Sequence, residues 1–107
     1  MLEAAAKSFI QHGFTAVVLL GDHGGYRRSL EKVRARVNVR ASRPVLFVPE
    51  EYYREMEHAG VDDTALALAV DPSLVREARG ASLDRGKAAR EELVARTVAA
   101  IRRALAR

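Results

Sequence analysis

Apolar and polar positions follow two different periods along the first half of the chain. Residues 2–12 carry apolar side chains at three- and four-residue spacing, which predicts a helix. Residues 14–20 form an almost unbroken apolar run with β-branched members, a pattern typical of a strand buried in a parallel sheet. The helical period returns over 26–37, and Pro49 closes a second short apolar run at 44–48. The predicted order is therefore helix, strand, helix, strand.

The second half of the chain is predicted to be mainly helical. Residues 50–57 suit a short helix, and the run 65–70 favours helix over strand because alanine and leucine dominate it. Residues 73–79 predict another helical turn and 80–86 a polar surface loop. Residues 87–106 predict a packed C-terminal helix with charged residues opposite its apolar stripe.

This alternation of helices with short buried strands predicts an α/β fold with parallel strands, in a single domain over residues 1–107. Two strands make an incomplete sheet, because small sheets usually need more strands for independent stability. We therefore expect something outside these strands to pair with their edges.

The amino-acid composition limits where the protein acts, which metal ligands it can offer and which partners it can bind. The chain has no run of about eighteen apolar residues and no signal-peptide pattern, which predicts a soluble, cytoplasmic protein with no membrane partner. It has no cysteine, so a metal site must use histidine and carboxylate ligands. The net charge is +4, but most arginines alternate with acidic residues or fall at the polar positions of helices. That distribution predicts a solvated surface and disfavours nucleic acid as a partner.

The first candidate for chemistry is the loop 21–25, which directly follows the first predicted strand. Ligands of parallel α/β sheets bind at the carboxyl ends of the strands. His23 could bind a metal or move a proton there, and the glycines around it permit close approach of the backbone. The alternative is a glycine-rich turn with an incidental histidine.

The second candidate is the segment 58–64, which places His58 close to the carboxylates of Asp62 and Asp63. Such a cluster could supply a metal ligand and a proton shuttle together. The alternative is that Asp63 caps the following helix and His58 is exposed.

Together, these two clusters resemble the creatininase (creatinine amidohydrolase) family. Its members carry Asn-Gly-His-Gly-Gly-Asn after a strand and, later, His-Ala-Gly-x-x-Glu-Thr-Ser followed by a Leu-x-Leu segment and a proline. Here residues 21–26 read Gly-Asp-His-Gly-Gly-Tyr, residues 58–65 read His-Ala-Gly-Val-Asp-Asp-Thr-Ala, and residues 66–72 read Leu-Ala-Leu-Ala-Val-Asp-Pro. The motifs come in the family's order, and the resemblance runs over nearly the whole chain.

The resemblance implies a three-layer α/β/α sandwich and hydrolysis of a C–N bond in a small or cyclic amide substrate. It also implies a divalent metal centre, usually of zinc, with manganese or iron as alternatives. By resemblance His23 and Asp63 would be metal ligands, with Asp22 as a further contributor. His58 would be the catalytic residue that transfers protons to the leaving nitrogen.

The chain departs from the family pattern in ways that affect this expectation. Gly21 and Tyr26 stand where the family has Asn, Asp22 where it has Gly, and Asp63 where it has Glu. The family's N-terminal motifs, which supply much of the metal shell, have no counterpart. The fold is therefore expected to be incomplete at its N-terminal side, and activity is expected to need a complementing chain or a homo-oligomer. The alternative function is a noncatalytic α/β module that acts in oligomerisation or binds an anionic partner.

Overall fold

A computed structural model of the chain describes residues 1–21, 23–52 and 60–106. The chain divides into two compact units. The first comprises Met1–Tyr53 with Ala99–Arg107, and the second comprises Arg54–Val98. The expected single domain over the whole chain stays a prediction.

The first unit contains the predicted order of helix, strand, helix, strand. Its elements are α1 (Leu2–Gln11), β1 (Val17–Val18), α2 (Arg27–Asn38) and β2 (Leu46–Phe47). Short 3-10 turns follow each strand, at Gly24–Tyr26 and at Glu50–Tyr52. Both strands are shorter than the predicted runs 14–20 and 44–48, because only their central residues form a ladder. The rest of the predicted helix 50–57 lies outside the described residues.

β1 and β2 form a parallel pair in which Val17 lies opposite Leu46 and Val18 opposite Phe47. The helices α1 and α2 pack against each other and against this pair. Ala6 from α1, Val37 from α2 and Leu46 from β2 are buried together and form the core of this unit. Burial of such apolar side chains is the main stabilising term for a domain this small.

The outer edge of β2, away from β1, is closed by the side chain of Asn38 at the end of α2. The Oδ1 atom of Asn38 accepts hydrogen bonds from the N–H groups of Val45 at 3.0 Å and Leu46 at 2.9 Å. Its Nδ2 atom donates to the Leu46 carbonyl at 2.8 Å. An amide side chain thus bonds to the Leu46 backbone as a neighbouring strand would.

The second unit contains α3 (Val61–Val70) and a 3-10 turn at Pro72–Leu74, which occupies the start of the predicted turn 73–79. α3 confirms the predicted helical state of the run 65–70. The last helix, α4 (Leu83–Leu105), begins in this unit, and its residues from Ala99 onward belong to the first unit.

The prediction of a loop over 80–86 was wrong for its last residues, because α4 already begins at Leu83. The Ser82 hydroxyl accepts a hydrogen bond from the Arg85 N–H at 3.1 Å, as an N-cap does. Gly86 does not end a loop. It is buried in α4 where a Cβ would overlap the backbone carbonyl of Ala65 in α3.

The fold class is α/β, as predicted, with parallel strands. The described residues are mostly helical and contain a single two-stranded sheet. The three-layer sandwich is therefore not confirmed, because so small a sheet does not by itself form a middle layer.

Candidate functional site

His23 lies beyond the carboxyl end of β1, directly before the turn Gly24–Tyr26. Its backbone is extended, with φ −145° and ψ 132°, and its Nδ1 atom accepts a hydrogen bond from the Gly25 N–H at 2.9 Å. The N–H groups at the start of a helical turn have no partner within the turn, and the imidazole satisfies one of them. The ring of His23 is therefore the cap of this turn.

This hydrogen bond fixes the tautomer of the neutral His23 ring. Neutral imidazole has one acceptor nitrogen and one N–H, so accepting at Nδ1 leaves the proton on Nε2. A histidine that ligates a metal through one nitrogen usually donates the N–H of the other nitrogen to an acceptor. In the described geometry Nδ1 faces a donor instead. His23 could coordinate a metal through Nε2 only after its ring releases the Gly25 N–H.

Gly25 is required by the position of the His23 ring. A Cβ at residue 25 would lie 2.9 Å from Nδ1 and 3.2 Å from Cε1 of His23. Real Cβ contacts essentially never come so close, so any larger residue would push the imidazole aside. Sequence reasoning assigned the loop glycines to backbone freedom and missed this contact, since spacing alone does not show where a neighbouring ring turns.

Tyr26 also contacts His23 and was missed as a site residue. Its ring centroid lies 5.8 Å from that of His23, with 60° between the ring planes. Tyr26 also lines a cavity of about 380 Å³ at the carboxyl end of β1, together with Leu19, Leu20 and Leu30. The signal available in the sequence was the aromatic residue where the family pattern has Asn.

Asp63 belongs to the second unit and lies in the first turn of α3. The N-cap of this helix is Gly60, so the alternative that Asp63 is the capping residue was wrong by position. A carboxylate in the first turn still stabilises the helix through the helix dipole. Its neighbour Asp62 forms an ion pair with Arg85 at 2.7 Å. Asp63 itself is half-buried and lines a cavity of about 520 Å³.

Of the four residues proposed from the sequence, the described part of the chain contains two, His23 and Asp63. Asp22 and His58 lie outside the described residues, and their roles stay predictions. His23 and Asp63 belong to different compact units. Within the ranges 1–21, 23–52 and 60–106, no group of three or more His, Cys, Asp or Glu side chains could hold a metal ion. Because a catalytic zinc normally takes about three protein ligands, these residues alone do not fit the expected metal centre.

No helix in the described ranges combines the length and apolar character needed to cross a membrane.

The comparisons with known proteins identify the family. Comparison with curated proteins found no match, and neither did comparison with solved structures. The family model described as creatinine amidohydrolase matches residues 1–105 of the 107 in the chain, a span that includes both candidate clusters. The chain therefore belongs to the creatininase family of amidohydrolases.

Proposed function

We propose that this chain serves as part of a metal-dependent amidohydrolase that cleaves a C–N bond in a small or cyclic amide. The family match over residues 1–105 carries this proposal. The position of His23 after β1 supports it, because ligands of parallel α/β sheets bind at that end of the strands.

The proposed metal is zinc, with manganese or iron as alternatives. His23, Asp63 and Asp22 are its proposed ligands, and His58 is the proposed proton donor to the leaving nitrogen. The described residues supply too few donors in one place, so the proposal includes residues from elsewhere, in a complementing chain or a homo-oligomer. The chain alone is then expected to be inactive or weakly active.

Bound zinc in the wild type and in two histidine variants tests the metal assignment. His23→Ala should reduce zinc, measured by inductively coupled plasma mass spectrometry after dialysis, by about tenfold or more. His12→Ala is the matched control, because His12 is exposed and its Nδ1 lies 2.8 Å from the backbone carbonyl oxygen of Ser8 in its own helix turn. It should leave the zinc content unchanged.

Hydrolysis by the same three proteins is followed with a panel of small and cyclic amides that includes creatinine. Any amide hydrolysis by the wild type should be lost in His23→Ala and kept in His12→Ala. Hydrolysis or stoichiometric zinc that survives His23→Ala would show that His23 is not a ligand.

The capping role of His23 favours a second candidate function, a noncatalytic module that binds an anionic partner or acts in oligomerisation. In this case the imidazole is a structural cap, held by the Gly25 N–H at 2.9 Å. Three results together would support this candidate over the enzyme. The protein would bind no zinc, would hydrolyse no amide at a measurable rate, and would bind heparin with an affinity that falls as the salt concentration rises.

A further inference from the structure

The excess positive charge of the chain lies in one segment, residues 27–43. This segment contains seven lysine and arginine residues and one acidic residue, Glu31, which gives it a net charge of +6. The whole chain has a net charge of +4, so the remaining residues together carry a net charge of −2. The sequence-based expectation against nucleic acid rested on the chain as a whole and did not separate this segment. An anionic partner is therefore attracted mainly to the segment 27–43.

Four of these cations form a stripe along the exposed side of α2. Arg28, Lys32 and Arg36 follow one another at a spacing of four residues, which places them on one side of the helix about 6 Å apart along its axis. Arg40 continues this spacing, because Val39 at the end of α2 keeps helical backbone angles, with φ −60° and ψ −24°. All four residues are exposed. We refer to them as the cation stripe.

The cation stripe has few carboxylate partners. Among the described residues, one member of the stripe lies within ion-pair distance of a carboxylate, namely Arg36, at 4.0 Å from Glu3. Three arginines of α4 differ, since each pairs with a carboxylate at 3.5 Å or less: Arg85, Arg96 and Arg103. Like charges at a spacing of four residues repel each other and destabilise a helix. An anion bound along α2 would relieve this repulsion.

A cavity of about 250 Å³ adjoins the last member of the cation stripe. Its apolar lining includes Ile10, Val37 and Val45, and its cationic lining consists of Lys7 and Arg40. A nucleobase has apolar faces, and its flat ring fits within a cavity of this volume. Arginine guanidinium groups stack on unpaired bases in proteins that bind single strands. The cavity therefore suits a base whose phosphates lie on the neighbouring stripe.

We propose that the cation stripe binds the phosphates of a single-stranded nucleic acid and that the cavity beside Arg40 holds one of its bases. A single strand can turn a base into the cavity, whereas the bases of a duplex are stacked and paired. A lipid surface is disfavoured, because a helix in a membrane interface buries its apolar face there, and the apolar residues Leu30 and Val37 of α2 are already buried in the protein. The proposal rests neither on the metal site nor on hydrolysis.

Fluorescence anisotropy of a labelled oligothymidylate of about ten nucleotides tests the surface, with the whole chain titrated at several salt concentrations. Contacts from the four cations should give a slope of about −3 when the logarithm of the association constant is plotted against that of the salt concentration. The triple variant Arg28→Gln, Lys32→Gln, Arg36→Gln should bind about tenfold or more weakly, with a slope near −1.

The matched control removes three exposed cations from α4, in the variant Lys87→Gln, Arg96→Gln, Arg102→Gln. Both triple variants lower the net charge equally, so a general effect of charge would weaken binding by the same factor in both. The control should instead bind within about twofold of the wild type, because contacts and not distant charges determine the affinity. Equal weakening in the two variants, or no measurable binding by the wild type, would overturn the proposal.

Other ligands test the assigned partner on the unchanged protein. An abasic oligonucleotide of the same length keeps the phosphates and lacks the bases, and a duplex keeps its bases paired. Each should bind about tenfold more weakly than the oligothymidylate. Equal binding of all three would overturn the base site. Tighter binding of polyglutamate or of phosphatidylserine vesicles would assign the stripe to an acidic protein or to a lipid surface, and would overturn nucleic acid as the partner.

Ala41→Leu tests the cavity without a change of charge, since Ala41 lines it. The larger side chain should weaken binding of the oligothymidylate about tenfold and leave binding of the abasic oligonucleotide unchanged. Ala95→Leu, at an exposed position of α4, is the control and should bind both ligands as the wild type does. Undiminished binding of the oligothymidylate by Ala41→Leu would contradict the base site. None of these measurements involves zinc or hydrolysis, so failure of this proposal and failure of the metal assignment are distinguishable.

Discussion

At the scale of single residues, His23 and Gly25 hold each other in place. Gly25→Ala should displace the imidazole, because the added Cβ would lie 2.9 Å from Nδ1. Long-range ¹H–¹⁵N NMR should show Nε2 protonated and Nδ1 unprotonated in the wild type, and a mixture of tautomers in the variant. Loss of the cap should lower the free energy of unfolding by about 1 kcal/mol.

Gly24→Ala is the control for this prediction, because nothing lies within 4 Å of a Cβ built at Gly24. It should keep the tautomer of the wild type. If both alanine variants gave the wild-type spectrum, the capping geometry would be incorrect.

A second prediction at this scale concerns Asp71, whose pKa is held below its usual value of 3.8 by hydrogen bonds from the backbone N–H and then the hydroxyl of Ser73. A carboxyl with a depressed pKa stabilises the folded state above its unfolded pKa, and this contribution is lost as pH falls through the folded pKa. A ¹³C NMR titration should give Asp71 a midpoint below 3.8. Ser73→Ala removes only the hydroxyl and should raise that midpoint part of the way, whereas no change would exclude a contribution from the hydroxyl.

At the scale of elements, the close approach of α3 and α4 depends on Gly86. Alanine normally favours a helix interior over glycine by about 1 kcal/mol. Here Gly86→Ala should instead destabilise the protein by about 1–3 kcal/mol, because the new Cβ would overlap the Ala65 carbonyl. Urea unfolding measures the difference.

Lys87→Ala is the neighbouring control for Gly86→Ala. Lys87 is exposed on the same helix as Gly86. Its replacement by alanine should change the free energy of unfolding by less than about 0.5 kcal/mol. A Gly86→Ala variant more stable than the wild type would show that the two helices do not approach each other at this point.

The elements also show what a pattern of residues can and cannot predict. Periodicity and apolar runs located α1, α2 and both strands, because each buries an apolar face or run in its own part of the chain, and the alanine and leucine content of 65–70 indicated α3. It extended β1 over 14–20, although strand length is set by the partners available for pairing and only Val17–Val18 forms a ladder with β2. It also treated Gly86 as the end of a loop, since nothing local reveals that Ala65 packs against it.

The same limit applied to the candidate site. The position of His23 after a strand could be predicted from local sequence, and the structure confirms it, although that strand is half-buried and not fully buried. The direction of the His23 ring could not be predicted. It depends on the hydrogen bond from the Gly25 N–H and on the space left because Gly25 has no side chain.

At the scale of the whole molecule, family membership is shown over almost the whole chain, whereas two of the four proposed site residues, Asp22 and His58, lie outside the described residues. The family match extends over residues 1–105, whereas the described residues place no three metal donors together. The two findings agree if the donors come from more than one segment, and His23 must then exchange its Gly25 hydrogen bond for a metal.

Closure of the β2 edge predicts how the chain assembles. Asn38→Ala should expose the Leu46 N–H and carbonyl, giving a sheet with two open edges. Light scattering at rising concentration should then show more association for the variant than for the wild type. Asn38→Gln, which keeps the amide on a longer side chain, should fall between the two. Identical scattering by all three proteins would contradict this role of Asn38.

A β-sheet with one closed edge and one open edge can add a strand from one partner but cannot extend in both directions. Among the described residues, Asn38 gives both outward Leu46 groups a partner, so a strand from another chain could pair with this sheet only at β1. Fibres require an acceptor on both sides of every unit. One asparagine at the end of α2 thus blocks one of the two sides that stacking of sheets into a fibre would need.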